Sequence, residues 1–351
     1  MFRRHPGNPL VTPSQIRPSQ PGYEIIGTFN AGVAQRHGEV VMLLRVAERP
    51  QNTDPQWILC PYIDDDGELV TKAVRRDDPA YHTQDPRMVR DAVTGQMWLT
   101  SISHLRLGRS ADGVHFSFDD GCWLASDPGY ASYGVEDARI TWHEEDKTFY
   151  VNYSAVSPHG IATALAQTPD FRHIEPLGLM FLPSNRDVAV FPRRIGGQYV
   201  AYHRPMPAYS HQYNIWVAAS PDMRHWGQHA VVLSVQPEGW ESGRIGGGAP
   251  PLWTEAGWLS IYHAADRSDR YCLGAYLTPH DAPERVVART LTPLLEPEAP
   301  YEREGFFGNV VFTCGAVVDD GVLRLYYGAA DERMALAEAK LVDVLASLTD
   351  V

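Results

Sequence analysis

Short runs of apolar, β-branched and aromatic residues recur from one end of the chain to the other: VVMLLR, MWLTSISHL, TFYVNYSAV, QYVAYH, NIWVAAS, WLSIYHA, NVVFTCGAVV and VLRLYYGAA. Between them lie turns rich in Gly, Pro, Asp and Asn. Runs of this length, bounded by residues that reverse the chain, read as strands, and their steady supply predicts an all-β protein. Helical periodicity is nearly absent until LVDVLASL, where Leu341, Leu345 and Leu348 predict a short C-terminal helix.

A weak repeat underlies the pattern. SADGVHF (110–116), TPDFRHI (168–174) and SPDMRHW (220–226) each follow an alternating strand that ends in a small residue, and Asp112, Asp170 and Asp222 lie 58 and 52 positions apart. A Ser or Thr with Asp two positions on can bond the amides of a turn, and the following aromatic or Ile packs back on the sheet. IYHAADRSDRYCLGAYL and LYYGAADERMALAEA echo each other as strand, tight turn, strand. Periods near fifty that each hold several strands are the mark of propeller blades. Dividing 351 residues by five gives about 70 per blade, so the expectation is a five-bladed β-propeller, with a pair of β-sandwiches as the competing architecture. No Pro- or Ser-rich linker divides the chain, and residues 1–351 are read as one domain.

Composition adds bounds. Hydrophobic residues make up 44% and charged residues 21%, enough apolar surface for a core without staples. The net charge of -13 repels nucleic acid and anionic membranes at long range. Cys60, Cys122, Cys272 and Cys314 are far apart, without metal-site spacing, and are expected to be buried thiols. The start, MFRRHPGNPL, reaches Pro and Asn before any apolar segment, and VVMLL is too short to cross a membrane, so a reducing cytoplasm is the expected location.

Against this acidic background, four basic side chains sit where apolar strands give way to turns: Arg193 in VAVFPRR, Arg204 in AYHRP, Arg244 in SGRIGGG and His263 in SIYHAAD. Singly, each reads as a surface residue at a strand end. Together, in a fold that gathers one strand of every blade around an axis, they read as a pocket for a small anion such as phosphate. YGVEDARITW adds Glu136 and Asp137 beside Arg139, an acid able to donate a proton if its surroundings hold one; Asp85 in DPR is a second candidate.

NPLVTP, IIGTFNAGV, LLRVAERP, SISHLRLGRSADG, YGVEDARI, NRDVAVFPRRIGG, AYHRP, SPDMRHWG, WESGRIGGGAPP, GWLSIYHAAD, GFFGNVVFTCGAVV and YYGAADE occur in one order across nearly the whole chain. In that order they resemble glycoside hydrolase family 130, the β-mannoside phosphorylases and their hydrolytic relatives. The resemblance implies a five-bladed propeller that splits a β-mannoside with inorganic phosphate, inverting the anomeric carbon to give α-mannose 1-phosphate without metal or organic cofactor. The family's DPR acid falls on Asp137, with Ala138 in place of its proline. Mannose-binding positions fall on Asn30, Arg45 and Asp331, with Arg106 added from HLRLG. The phosphate-binding positions fall on Arg193, Arg204, Arg244 and His263. In such enzymes the acid acts through a sugar hydroxyl that relays its proton.

Two other functions compete with this one. A β-mannosidase of the same family would need a base to activate water, for which Glu241 in WESGR is available. A non-catalytic sugar-binding propeller would make Asp137 ordinary. SISHLRLGRS and GFFGNVVFTCG resemble members acting on β-1,2 linkages more than on β-1,4. The expected partners are therefore a manno-oligosaccharide and phosphate, and self-association through the terminal segments is compatible with the chain.

Overall fold

The computed structural model describes residues 1–351, and it is almost entirely β, with two short helices, Pro300–Arg303 and Leu341–Ala346. Five antiparallel sheets account for most of the chain. The first holds Tyr23–Arg36, Glu39–Pro50, Ile102–Ser110 and Ser117–Phe118. The second holds Gly134–His143, Thr148–Ser157, Gly160–Thr168 and Glu175–Phe181, and the third Asn185–Val190, Tyr199–Pro205, Ile215–Ser220 and Gly227–Leu233. The fourth is built on Arg244–Gly247, Gly257–Ala265, Tyr271–Thr278 and Ala288–Arg289, and Thr349–Asp350 extends its edge. The fifth holds Val311–Asp319, Val322–Ala329 and Arg333–Lys340, completed by Arg3–Arg4 from the start of the chain.

Apart from the edge strands Arg3–Arg4 and Thr349–Asp350 and the long connection of residues 51–101, strands within a sheet follow chain order through short connections, which makes each sheet largely a local meander. The first strands touch one another from sheet to sheet: Tyr23–Arg36 packs against both Gly134–His143 and Val311–Asp319, and Asn185–Val190 packs against Gly134–His143 and Arg244–Gly247. Alternating side chains then bury two faces at once. Val41, Leu43, Leu105 and Leu107 pack toward the second sheet, while Val40, Met42, Leu44 and Val46 pack toward the fifth.

The repeated turns form as the sequence predicts. Asp112 accepts the amides of Val114 and His115 (2.8 and 2.9 Å), Asp170 those of Arg172 and His173 (2.8 and 3.0 Å), and Asp222 those of Arg224 and His225 (2.9 and 2.8 Å). In each turn the histidine three positions on returns its ring Nδ1 to the same carboxylate. The residue after each Asp is left-handed, at Gly113, Phe171 and Met223. Phe171 and Met223 accept that conformation with their side chains buried. These turns join the third and fourth strands of the first three sheets.

Other expectations need adjustment. The terminal helix stops at Ala346, and Leu348 instead packs with Leu341 and Leu345 against the core between the fourth and fifth sheets. Cys122 is exposed, whereas Cys60, Cys272 and Cys314 are buried. Residues 51–101 form an excursion between the second and third strands of the first sheet, carrying two small sheets, Trp57–Ile63 with Leu69–Arg75, and Tyr81–His82 with Met88–Asp91 and Met97–Leu99.

The N-terminal strand is secured by an ion pair. The fully buried Glu302 accepts Arg4 Nε and Nη2 (2.7 and 2.8 Å), the Tyr327 hydroxyl (2.7 Å) and two backbone amides. Removing the guanidinium leaves that carboxylate buried without its cation. Arg4→Ala is expected to cost about 3 kcal/mol in urea unfolding. Arg49→Ala, which breaks an exposed pair with Glu24, is expected to cost less than about 1 kcal/mol.

Candidate active site

The first strands of the first three sheets are each interrupted by a bulge: between Phe29 and Gly32, between Glu136 and Arg139, and between Arg186 and Ala189. At each bulge a short polar residue is left-handed, Asn30 (φ 49°), Asp137 (φ 49°) and Asp187 (φ 57°). Asn and Asp tolerate this conformation best among residues with a side chain, and a bulge re-aims the side chain out of the strand's regular alternation. A polar group is thereby turned out of each of these strands at its bulge.

The first two meet. Asp137 Oδ1 accepts Asn30 Nδ2 at 3.1 Å and Arg45 Nη1 at 2.9 Å. Arg45 also donates Nη2 to Glu136 Oε1 at 2.8 Å and Nε to Ser103 Oγ at 3.1 Å, with its guanidinium 4.5 Å from the centre of the Phe29 ring. One arginine thus holds two adjacent carboxylates. Asp331 joins this group from the turn between Val322–Ala329 and Arg333–Lys340, where Ala330 and Asp331 are both left-handed. The turn is pinned by Ala330 N to Val310 O and Phe307 N to Ala330 O, each 3.0 Å. Burial raises the Asp331 carboxyl to about 6; Arg45 opposes the rise, and the charges of Asp137 and Glu136 add to it.

A second group gathers on Asp187. Arg204 Nη2 lies 2.9 Å from Oδ2, His263 Nε2 lies 3.3 Å from the same oxygen, and Arg139 Nη2 donates to Oδ1 at 3.2 Å. Burial pushes the Asp187 carboxyl upward, but Arg204, His263 and Arg139 outweigh it and hold the group well below the usual carboxylate range. Arg186 faces Arg204 across the strand pair, and Arg244 stands within charge range of it. Burial and these two neighbouring cations lower the Arg204 pKa despite Asp187. The Nε atoms of Arg186, Arg204 and Arg244 are buried without a hydrogen-bond acceptor, so donors outnumber acceptors here. Such a site favours an oxyanion. The RIGGG run allows the close fit: a Cβ on Gly246 would fall 2.5 Å from Asp187 Oδ2 and 2.6 Å from the His263 ring.

Arg139 joins the two groups. It is 1% exposed, and it donates to Asp137 O (2.9 Å), Gly247 O (3.0 Å) and Gly248 O (3.2 Å) besides Asp187. Its partners come from the first strand regions of three consecutive sheets.

Of the residues selected from sequence, Asn30, Arg45, Asp137 and Asp331 come together, as do Arg204, Arg244 and His263. Two do not join either group. Arg193 lies beyond the far end of its strand, seven residues or about 20 Å along the chain from Arg186, where it pairs with Glu144 at 2.9 Å and stacks over Trp253 at 4.6 Å. Arg106 is buried on the opposite face of its strand, with Leu44 rather than Arg45 as cross-strand partner, and donates to His104 Nε2 and Arg17 O. The alternative acids are also engaged elsewhere. Asp85 is bound bidentately by Arg87, whose hydrogen bonds lower its pKa. Glu241 accepts the Tyr262 hydroxyl at 2.6 Å and pairs with Arg289. Sequence reasoning missed Asp187 and Arg186. The signal was present in RDVAV, which parallels EDARI and FNAGV in setting a short polar residue before a small or β-branched one.

An all-β scaffold that sets a carboxylate cluster beside a donor-rich anion site has the equipment of a carbohydrate-active enzyme that uses an oxyanion. A family model described as beta-1,4-mannooligosaccharide phosphorylase matches residues 70–349, and the chain belongs to that family, glycoside hydrolase family 130. The β-1,2-mannobiose phosphorylase of Listeria innocua is 45% identical over 348 residues, 98% of each chain. The solved structure of a Listeria innocua β-1,2-mannobiose phosphorylase with β-1,2-mannobiose superposes with a TM-score of 0.95 at 44% identity, covering 99% of this chain and 98% of that one. A 1,2-β-oligomannan phosphorylase of Thermoanaerobacter is 36% identical over 69% of this chain and 80% of its own length.

The raised carboxyl of Asp331 has a consequence for stability. Its folded value lies above the ordinary 3.8, so folding takes up a proton; the contribution is full below about pH 4 and is lost as pH rises through about 6. Asp331→Asn is expected to lose less stability than the parent between those pH values, as measured by urea unfolding at each.

Proposed function

We propose that this chain is an inverting β-mannoside phosphorylase that cleaves β-1,2-linked manno-oligosaccharides, mannobiose foremost, with inorganic phosphate to give α-mannose 1-phosphate. The observation that carries this reading is the convergence of Arg204 and His263 on Asp187, with Arg186 and the Asp269-paired Arg244 beside Arg204, tied through Arg139 to the strand that presents Asp137. The full-length similarity to a β-1,2-mannobiose phosphorylase supports the linkage. On this reading the five sheets are the blades of one propeller spanning residues 1–351, and the site lies where their first strands meet.

In the reaction, a phosphate oxygen forms the new bond to the anomeric carbon as the glycosidic bond breaks on the opposite face. The proton carried by Asp137 passes to the departing oxygen, through a sugar hydroxyl of the substrate. Monohydrogen phosphate gives up its own proton as it becomes the phosphate ester, which restores the acid. Asn30 and Arg45 hold the Asp137 carboxylate in place, and Asp331 is free of side-chain hydrogen bonds within the protein and can accept from sugar hydroxyls. The arginines bind the nucleophile and offset charge as the transition state forms. Phosphate is then a co-substrate, and the enzyme needs neither metal nor organic cofactor.

Hydrolysis within the same family would require a carboxylate to activate water, and Glu241 is committed to Tyr262 and Arg289 instead. No helix is long and apolar enough to cross a membrane. With four cysteines and none of them paired, we place the enzyme in the reducing cytoplasm.

Incubation of β-1,2-mannobiose with and without phosphate tests the reading. Equal amounts of mannose and α-mannose 1-phosphate are expected with phosphate, and release of mannose in its absence would refute phosphorolysis. Asp137→Asn is expected to lower kcat by about 10³-fold while mannobiose still binds, measured by steady-state kinetics and calorimetry. Arg204→Ala is expected to raise KM for phosphate by roughly tenfold or more. Arg193→Ala, in contrast, is expected to leave that KM within about twofold.

A further inference from the structure

The excursion formed by residues 51–101 is anchored at two points that straddle the candidate site. At one, Ile58, Cys60, Val74, Val89 and Trp98 pack with Tyr133 and Val156, just ahead of the Asp137 bulge, and Ile63 N bonds Ser132 O at 2.8 Å. At the other, the DPR tip reaches the loop that precedes the fifth sheet, where the Arg87 guanidinium stands 4.6 Å from the centre of the Phe307 ring. Phe307 is bonded through its amide to Ala330, the neighbour of Asp331. Arg87 is also within charge range of Asp331 and of Tyr271, over whose ring Arg244 lies at 5.3 Å. The excursion therefore bridges the second and fifth sheets, and its tip stands at the outer side of both halves of the site.

The tip is built rather than loose. Asp85 Oδ1 accepts the Arg87 amide and Nε at 2.9 and 3.0 Å, Asp85 Oδ2 accepts Nη2 at 2.9 Å, and Thr100 bonds the carbonyls of Pro86 and Arg87. The guanidinium is held in one plane against an aromatic ring, with its Nη1 donors outside the pair and its side chain 42% exposed.

Resting on the phosphorylase reading, we propose that Arg87, fixed by Asp85 over Phe307, is a specificity-determining residue that binds hydroxyls of the sugar on the leaving side of the scissile bond. The charge arrangement favours a neutral sugar over phosphate at this point. Asp85 neutralises Arg87 and would itself repel an oxyanion, whereas a fork of donors beside carboxylate acceptors matches adjacent hydroxyls. The buried cations around Asp187 provide the anion site, and Arg87 stands apart from them at the exposed rim. A flat ring carrying a planar ion pair also offers the leaving sugar a surface to lie against.

The reaction run in the direction of synthesis separates the two sides of the site. With α-mannose 1-phosphate as donor and mannose as acceptor, Arg87→Ala is expected to raise KM for mannose by roughly tenfold, with KM for α-mannose 1-phosphate within about twofold of the parent. Arg87→Lys keeps the charge but loses the fork, and it is expected to raise the acceptor KM in the same direction. Asp85→Asn, which loosens the fork, should do so to a smaller extent. An unchanged acceptor KM in Arg87→Ala would overturn the proposal. So would a parallel rise in KM for the sugar phosphate, or rescue by Arg87→Lys, since either would make Arg87 a phosphate ligand. If the parent enzyme joins the two substrates, these failures concern Arg87 alone. A parent that makes no disaccharide would overturn the phosphorylase reading and this proposal with it.

Discussion

The site depends on one permanently charged group that has no access to water. Arg139 is buried among the first strands of the second, third and fourth sheets, and its donors are taken up by three backbone carbonyls and one carboxylate. A guanidinium cannot shed its charge to enter an apolar interior, so its surroundings must supply acceptors and a counter-ion. Asp187 is that counter-ion. Because Asp187 also holds Arg204 and His263, the fit of one buried cation fixes the group around Asp187, and through the carbonyl of Asp137 it fixes the carboxylate group as well. Removing one partner of such a network leaves a charge stranded, at a cost of about 3–5 kcal/mol.

Backbone geometry makes this arrangement available. A regular strand in a sheet buried on both faces presents apolar groups to both, and polar side chains there have no outlet. The bulges at Asn30, Asp137 and Asp187 turn one residue in each first strand into the left-handed region and free its side chain from the pleat. Asn and Asp are the side chains that reach that conformation at least cost, so the residues that suit the chemistry also suit the bend. The Ala330–Asp331 turn is less favourable, since Ala there meets its Cβ penalty, and hydrogen bonds to Val310 and Phe307 hold it from both sides.

Much of this was legible in the chain. Strand runs, the Asp-x-x-His turns and the family motifs located the sheets and brought Asn30, Arg45, Asp137, Asp331, Arg204, Arg244 and His263 forward. Arg106 and Arg193 show where such reading stops. Arg45 and Arg106 lie on paired strands, but cross-strand register sets Arg106 opposite Leu44, and a one-residue offset sends it to the other face. Arg193 follows an apolar run as Arg204 and His263 do, yet it leaves by the opposite end, and sequence gives no sign of which end of a strand faces a site. Asp187 was overlooked because a lone carboxylate in NRDVAV is indistinguishable from a turn former until Arg139, Arg204 and His263, distant in sequence, are seen around it. The tertiary role of the excursion between the first sheet's strands was likewise hidden, since its hairpins look like any others.

The outer strands of the five sheets have a consequence of their own. In the first, fourth and fifth sheets the outermost strand is only two residues long, Ser117–Phe118, Thr349–Asp350 and Arg3–Arg4. In the second and third it is longer, but the pairing of Glu175–Phe181 and Gly227–Leu233 is broken by register shifts. No rim therefore offers an uninterrupted row of free amides and carbonyls to another chain. A protein made almost wholly of sheet is thereby protected from templating its own fibrils, and it can remain dispersed at the concentrations at which a metabolic enzyme works.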